Sequence, residues 1–192
     1  MRTIDLTTRI DIRGSGVQDE KMLRKIWSGH VGTHFDAMGM DFPEDYMEQK
    51  GVVFDVSGIE GREITTDDID LRMIEGRGFV ALYSGFIDEA GYGTERYFHE
   101  HPVLSRNLIE ALLAAGARII AIDFAGVRRG AEHHPADMYC AERGTFVVEN
   151  LCNLDKVLGG KSAAFFEAGT YPVNFAGMSG LPCRVVARVY ED

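Results

Sequence analysis

Cysteine is scarce in this 192-residue chain: Cys140, Cys152 and Cys183 are odd in number, lie 12 and 31 positions apart and form no C-x-x-C pair. That spacing excludes a dithiol redox motif and a zinc ribbon, and it predicts the reduced thiols of a cytoplasmic protein. Basic residues are also in deficit, 20 against 30 acidic ones, and the resulting net charge of −10 is repelled by nucleic-acid backbones and by anionic membrane surfaces. No apolar run approaches the length of a membrane span, and residues 1–13 carry three arginines without the apolar core of a signal peptide. Linkers, internal repeats and low-complexity tracts are missing as well. What is present is an ordinary globular composition, 45% apolar and 26% charged, enough for one sizeable core and short for two. The expectation is a single domain over residues 1–192 that takes a small-molecule substrate, with no nucleic-acid or membrane partner.

Against this background the most informative stretch is His30-Val31-Gly32-Thr33-His34-Phe35-Asp36, with two imidazoles and a carboxylate at offsets of 0, 4 and 6. The β-branched Val31 and Thr33, with Gly32 between them, favour an extended segment, in which even offsets share one face. Gly32 then leaves room on that face for an ion and its water. Two His and one Asp with open positions form the ligand set of a hydrolytic Zn²⁺ or Mn²⁺ centre. The plainer alternative is an edge strand whose histidines only hydrogen-bond.

The rest of the chain reads as alternating strands and helices. Residues 3–12 form an opening strand, Gly14-Ser15-Gly16 a turn, and residues 25–35 the next extended unit. A loop through Pro43 precedes a helical turn at residues 44–49, and strands follow at 51–56, 79–83, 117–124, 145–149 and 184–190. Helices are predicted over 65–75, capped by Thr65 or Thr66, and over 105–115, with Ser105 as cap and Gly116 as stop; residues 154–158 form a helical turn. Asp123, near a strand's carboxyl end, is either functional or the cap of a turn. Strand-rich ends around an alternating middle imply an α/β fold with a mixed sheet and helices packed on it.

The motif and its surroundings resemble the cyclase family of metal-dependent hydrolases, which includes bacterial kynurenine formamidase and isatin hydrolase. The resemblance is carried by His30-x-Gly32-Thr33-His34-x-Asp36-Ala37, by residues 52–70 and 80–85, by His101-Pro102-x-Leu104-Ser105, by Ile122-Asp123 and by Val148-Glu149-Asn150-Leu151-x-Asn153-Leu154. It implies a swivelling β/β/α sandwich, and His30, His34 and Asp36 as metal ligands, with Asp36 able to bridge two ions. It also implies Glu149 as a further ligand and Asp137 where the family usually has a ligand histidine. One or two Zn²⁺ or Mn²⁺ ions per chain and a homodimer or larger assembly follow from the same likeness.

Besides Asp137, a second departure stands out. Where the family reads Asp-Ala-Pro-x-His, this chain reads Asp36-Ala37-Met38-Gly39-Met40, so the family's acid/base histidine is a methionine that cannot carry protons. His133, His134 and Asp41 are the candidate replacements, with Glu44 a further loop acid. The implied reaction is hydrolysis of a C–N bond in an aryl formamide or cyclic amide by a metal-bound hydroxide, with Asp36 or Glu149 orienting it. The alternative is a family member that no longer turns over and only binds a metal or small ligand. His99 and His101 read as structural and Cys140 as a buried free thiol. Trp27, Phe35, Phe42, Phe86 and Tyr92 either wall an apolar pocket or belong to the core.

Overall fold

The structure, a computed structural model, describes residues 1–10 and 20–190. Its elements run β1 (Arg2–Asp5), α1 (Glu20–Ser28), β2 (His34–Asp36), β3 (Glu48–Asp55), β4 (Phe79–Tyr83), α2 (Phe86–Ala90), α3 (Glu95–Glu100), α4 (Arg106–Ala114), β5 (Ile119–Ile122), α5 (His133–Ala141), β6 (Phe146–Glu149), α6 (Leu154–Leu158), β7 (Ala163–Pro172) and β8 (Gly180–Val189). The strands are ordered β1-β8-β2-β6-β5-β4-β3-β7, and β7 also pairs with β8. Seven strands therefore close into a barrel-like ring, with β1 attached outside on β8. Strands β3, β4, β5 and β6 pair in parallel, whereas β2 runs antiparallel to β6 and β8, so the sheet is mixed as the alternation predicts.

The parallel strands are buried on both faces, which is why they read as near-continuous apolar runs. Val52, Phe54, Val80, Leu82, Ile120, Ile122 and Val147 face one core, shared with Leu108, Ile109 and Leu112 of α4. The intervening Val53, Phe79, Ala81, Ile119, Ala121, Phe146 and Val148 face a second core with Phe35 and Phe166. The two-residue period of the strands divides the side chains between the two. Helix α4 has the predicted cap, the Ser105 hydroxyl accepting from the Leu108 N–H at 3.1 Å. Asp123, buried at the end of β5, accepts from the Ser84 and Gly85 N–H groups and from the Ser84 hydroxyl, so it caps the turn after β4.

Several expectations are corrected. The extended unit over 25–35 is instead the end of α1, a loop, and only three residues of strand. The predicted helix over 65–75 is two 3₁₀ turns, Thr66–Asp68 and Leu71–Ile74, broken at Ile69 with φ −136° and ψ 150°. Asp68 and Asp70 cause the break: their carboxylates take the Thr65 and Arg72 N–H groups and so compete with a continuous helix. The helical turn at 44–49 is a 3₁₀ turn over Glu44–Tyr46 that gives way to β3. The opening strand ends at Asp5, and its predicted continuation through 11–12, like the Gly14-Ser15-Gly16 turn, lies outside the described residues. All three cysteines are unpaired. No helix among the described residues is long and apolar enough to cross a membrane.

Candidate metal centre

His34 and Asp36 lie two apart on β2 and share a face, and the register pairs His34 with Glu149 across the antiparallel β2–β6 ladder. His30 arrives from the loop after α1. Its position depends on Gly29, whose φ of +82° and approach to Gly180 leave no room for a side chain: a Cβ there would lie 2.0 Å from the Gly180 carbonyl oxygen. Gly29→Ala is therefore expected to lower unfolding stability by at least about 1–2 kcal/mol, the cost of the left-handed backbone alone, as read by urea denaturation. His133 and Asp137 come from α5 and, four residues apart, share one helix face.

These groups meet at the floor of a cavity of about 560 Å³ lined also by Tyr92, Phe98, Met38 and His134. His30 Nδ1 lies 3.0 Å from Asp36 Oδ1 and 3.1 Å from His34 Nε2. His34 Nε2 is 3.7 Å from Glu149 Oε2, and His133 Nε2 is 3.1 Å from Asp137 Oδ2 and 3.3 Å from Glu149 Oε1. Despite this crowding, both oxygens of Asp36, both of Asp137 and Oε1 of Glu149 are buried with no well-directed hydrogen bond. Close approach without bonding geometry is what results when lone pairs aim at a common point and not at each other. Asp36, Asp137 and Glu149 are 0%, 1% and 4% exposed, so water does not satisfy them.

Two donor groups can be drawn, His30–His34–Asp36 and Asp36–His133–Asp137, and Asp36 belongs to both. The imidazoles are oriented from behind. The Ser179 hydroxyl lies 3.0 Å from His30 Nε2 and 3.4 Å from the Ser28 carbonyl; donating to the carbonyl, it accepts from Nε2 and leaves Nδ1 free toward the cluster. His34 Nδ1 donates to the Gly32 carbonyl at 2.9 Å, which turns Nε2 inward. A nitrogen and carboxylate donor set with unsatisfied buried oxygens fits a divalent ion such as Zn²⁺ or Mn²⁺.

The charges are mutually dependent. Burial would lower His34, but the nearby Asp36 and Glu149 carboxylates outweigh it and raise it to about 9. Burial likewise works against His133, which the adjacent Asp137 and Glu149 carboxylates lift to about 11. Asp137 and Glu149 are raised by burial and by the Asp36 charge. Asp36 goes the other way, since its histidine contacts overcome burial. Holding a cation here means displacing protons from these groups, so apparent affinity is expected to rise with pH, by up to about tenfold per unit for each proton released. Zn²⁺ titration at pH 6, 7 and 8 checks this; a flat profile contradicts it.

The structure thus brings together His30, His34, Asp36, Asp137, Glu149 and His133, and it puts exposed His134 on the cavity wall. Asp41 is exposed and outside that wall, as is Met40. His133 and His134 begin α5 and are not isolated loop residues. Gly32 does not clear space beside an ion; with φ +62° it turns the chain, and an added Cβ would meet Ile10 at 3.1 Å. Of the five aromatic residues named from the sequence, only Tyr92 lines the cavity. Trp27 is 79% exposed, while Phe35 and Phe86 are core residues and Phe42 packs on Phe35. Cys140 is buried and its thiol is pushed up to about 12 by burial, so it is no nucleophile. Ser179 and Phe98 went unread, since nothing local in the sequence marks either as facing the cluster.

The family model "Putative cyclase" matches residues 4–128. No curated protein matches the chain. Among solved structures, a potential metal-dependent hydrolase with cyclase activity superposes with a TM-score of 0.73 at 22% identity, covering 97% of this chain and 96% of the other. Isatin hydrolase A from Labrenzia aggregata gives 0.73 at 20% identity over 99% and 94% of the two chains. A predicted metal-dependent hydrolase from Bacillus stearothermophilus gives 0.69 at 20% identity, with 97% of each chain covered.

Proposed function

The chain belongs to the cyclase family, and on that premise we propose that it is a metal-dependent hydrolase that cleaves a C–N bond of an aryl formamide or cyclic amide. The observation that carries the reading is the convergence of five unsatisfied buried carboxylate oxygens with three histidines at the floor of an open cavity. The similarity to isatin hydrolase A supports a cyclic amide as substrate.

In this reading His30, His34 and Asp36 hold the ion, with Asp137 and Glu149 beside them. When bound, the ion polarises a carbonyl and lowers the pKa of its water to about 7. The chain's own residues do the rest. Glu149, fixed by the ladder opposite His34, orients the attacking water with its carboxylate. His133 Nε2, held between Asp137 and Glu149, carries the proton that the leaving nitrogen needs, in place of the histidine replaced by Met40. Tyr92, Phe98 and Met38 give an aromatic ring an apolar wall and exclude water from one side of the cavity.

The test is hydrolysis of isatin and of N-formylaniline by protein stripped with chelator and then reloaded with Zn²⁺ or Mn²⁺. Activity restored only by the metal supports the reading. A loaded protein that hydrolyses neither leaves the binding-protein alternative, which Met40 and Asp137, standing in place of histidines, favour.

A further inference from the structure

We propose that Asn150 is a positioning residue that fixes His34 for ion binding by holding the carbonyl of Gly32, a role that rests on the metal-centre reading above. Asn150 follows Glu149 directly, is 2% exposed, and has a left-handed backbone with φ +60°. Its amide Nδ2 donates to the Gly32 carbonyl at 2.9 Å, and that same oxygen accepts from His34 Nδ1 at 2.9 Å. Two donors on one carbonyl use both of its lone pairs and set the plane in which the imidazole lies.

The amide cannot turn over freely. Its Oδ1 accepts from the Tyr97 hydroxyl at 2.8 Å, and the reversed amide would face the Gly32 oxygen with another oxygen. The residue is also tied through its backbone, whose carbonyl accepts from the hydroxyls of Thr8 at 2.5 Å and Thr33 at 2.8 Å. On the other side Gly32 N–H donates to the Tyr92 hydroxyl at 2.8 Å, so the residue whose carbonyl orients His34 is held through both its N–H and its C=O. One bond serves the core, satisfying the buried Tyr97 hydroxyl, but the Nδ2 bond to the Gly32 carbonyl does not, and a buried asparagine at a left-handed position is a costly way to fill space. Its product is a fixed Nδ1–H tautomer of His34 with Nε2 toward the cluster.

Zn²⁺ affinity measured by competition with a chromophoric chelator at pH 7 tests this on the unaltered protein, Asn150→Gly and Tyr97→Phe. Glycine takes the left-handed backbone without strain, so Asn150→Gly removes the amide while keeping the turn. Affinity is expected to fall about 10–100-fold in Asn150→Gly, and about 3–10-fold in Tyr97→Phe, which frees the amide and gives up a long contact to the Asp123 carbonyl. ¹H–¹⁵N NMR of the Zn²⁺-loaded proteins adds a readout that lost packing alone does not move: the His34 Nδ1–H proton, held on the Gly32 carbonyl, exchanges slowly with water in the unaltered protein and faster, at a shifted frequency, in Asn150→Gly. The melting temperature of each metal-free variant shows whether it is folded; if Asn150→Gly is not, Tyr97→Phe decides. Folded variants that bind Zn²⁺ as tightly as the unaltered protein, with the His34 Nδ1–H signal and its exchange unchanged, overturn the proposal and leave the metal centre standing. An unaltered protein that binds no Zn²⁺ overturns both.

Discussion

Replacing Asp36 with asparagine is expected to abolish tight ion binding and to cut hydrolysis by about 10³-fold or more, the kinetic equivalent of losing the several kcal/mol of charge stabilisation an ion supplies. Asp36 is the one residue common to both donor groups, and it is wholly buried. The substitution keeps shape and removes charge. In the metal-free protein, by contrast, the aspartate faces Asp137 and Glu149, both raised in pKa by its charge. The metal-free Asp36→Asn protein is nonetheless expected to melt below the parent at pH 7, because His30 and His34 hold the Asp36 carboxyl well below its usual range and the stability they confer is lost with its charge. Calorimetry with and without Zn²⁺ separates the effects: the parent gains stability with the ion and the variant does not. A variant that still melts higher with Zn²⁺, by as much as the parent, contradicts the assignment.

The second large effect is expected at His133. Its Nε2 lies between two carboxylates, Asp137 and Glu149, while its Nδ1 faces Gly126, so Nε2 is the nitrogen turned toward the cluster. His133→Gln retains a polar group of similar reach and loses the proton carrier. kcat is expected to fall about 10²–10⁴-fold, the usual contribution of a general acid or base, while the ion on His30, His34 and Asp36 remains. Steady-state kinetics alongside metal analysis of the same preparation decides. If the variant instead loses one ion per chain, His133 is a ligand of the Asp36–His133–Asp137 group and the proton carrier lies elsewhere.

Much of the centre was legible in the sequence, though not always for the right reason. His30, His34 and Asp36 converge as the spacing predicted, but through a helix end, a glycine-bound loop and a three-residue strand in place of one extended segment. A short strand paired on both sides by distant partners leaves little local signal. Helix α5 was missed because His133-His134-Pro135 reads as a break. Proline in the first turn costs no intrahelical bond, and the helix has no marked apolar stripe. Had it been read, the four-residue spacing of His133 and Asp137 would have put both on one face. Strand β7 was invisible for a related reason: its inward positions include Ala164 and Ala168, small residues with weak strand preference. The proximity of Asp137 and Glu149 to His30 is purely tertiary, and only the family resemblance anticipated it.

The most direct measurement is metal content per chain, by mass spectrometry, of protein purified without chelators or a metal-binding tag. At least one Zn²⁺ or Mn²⁺ per chain is the expected result, absent from Asp36→Asn prepared in the same way. No ion in the parent, even after reconstitution with both metals, would contradict the metal centre and with it the proposed hydrolysis.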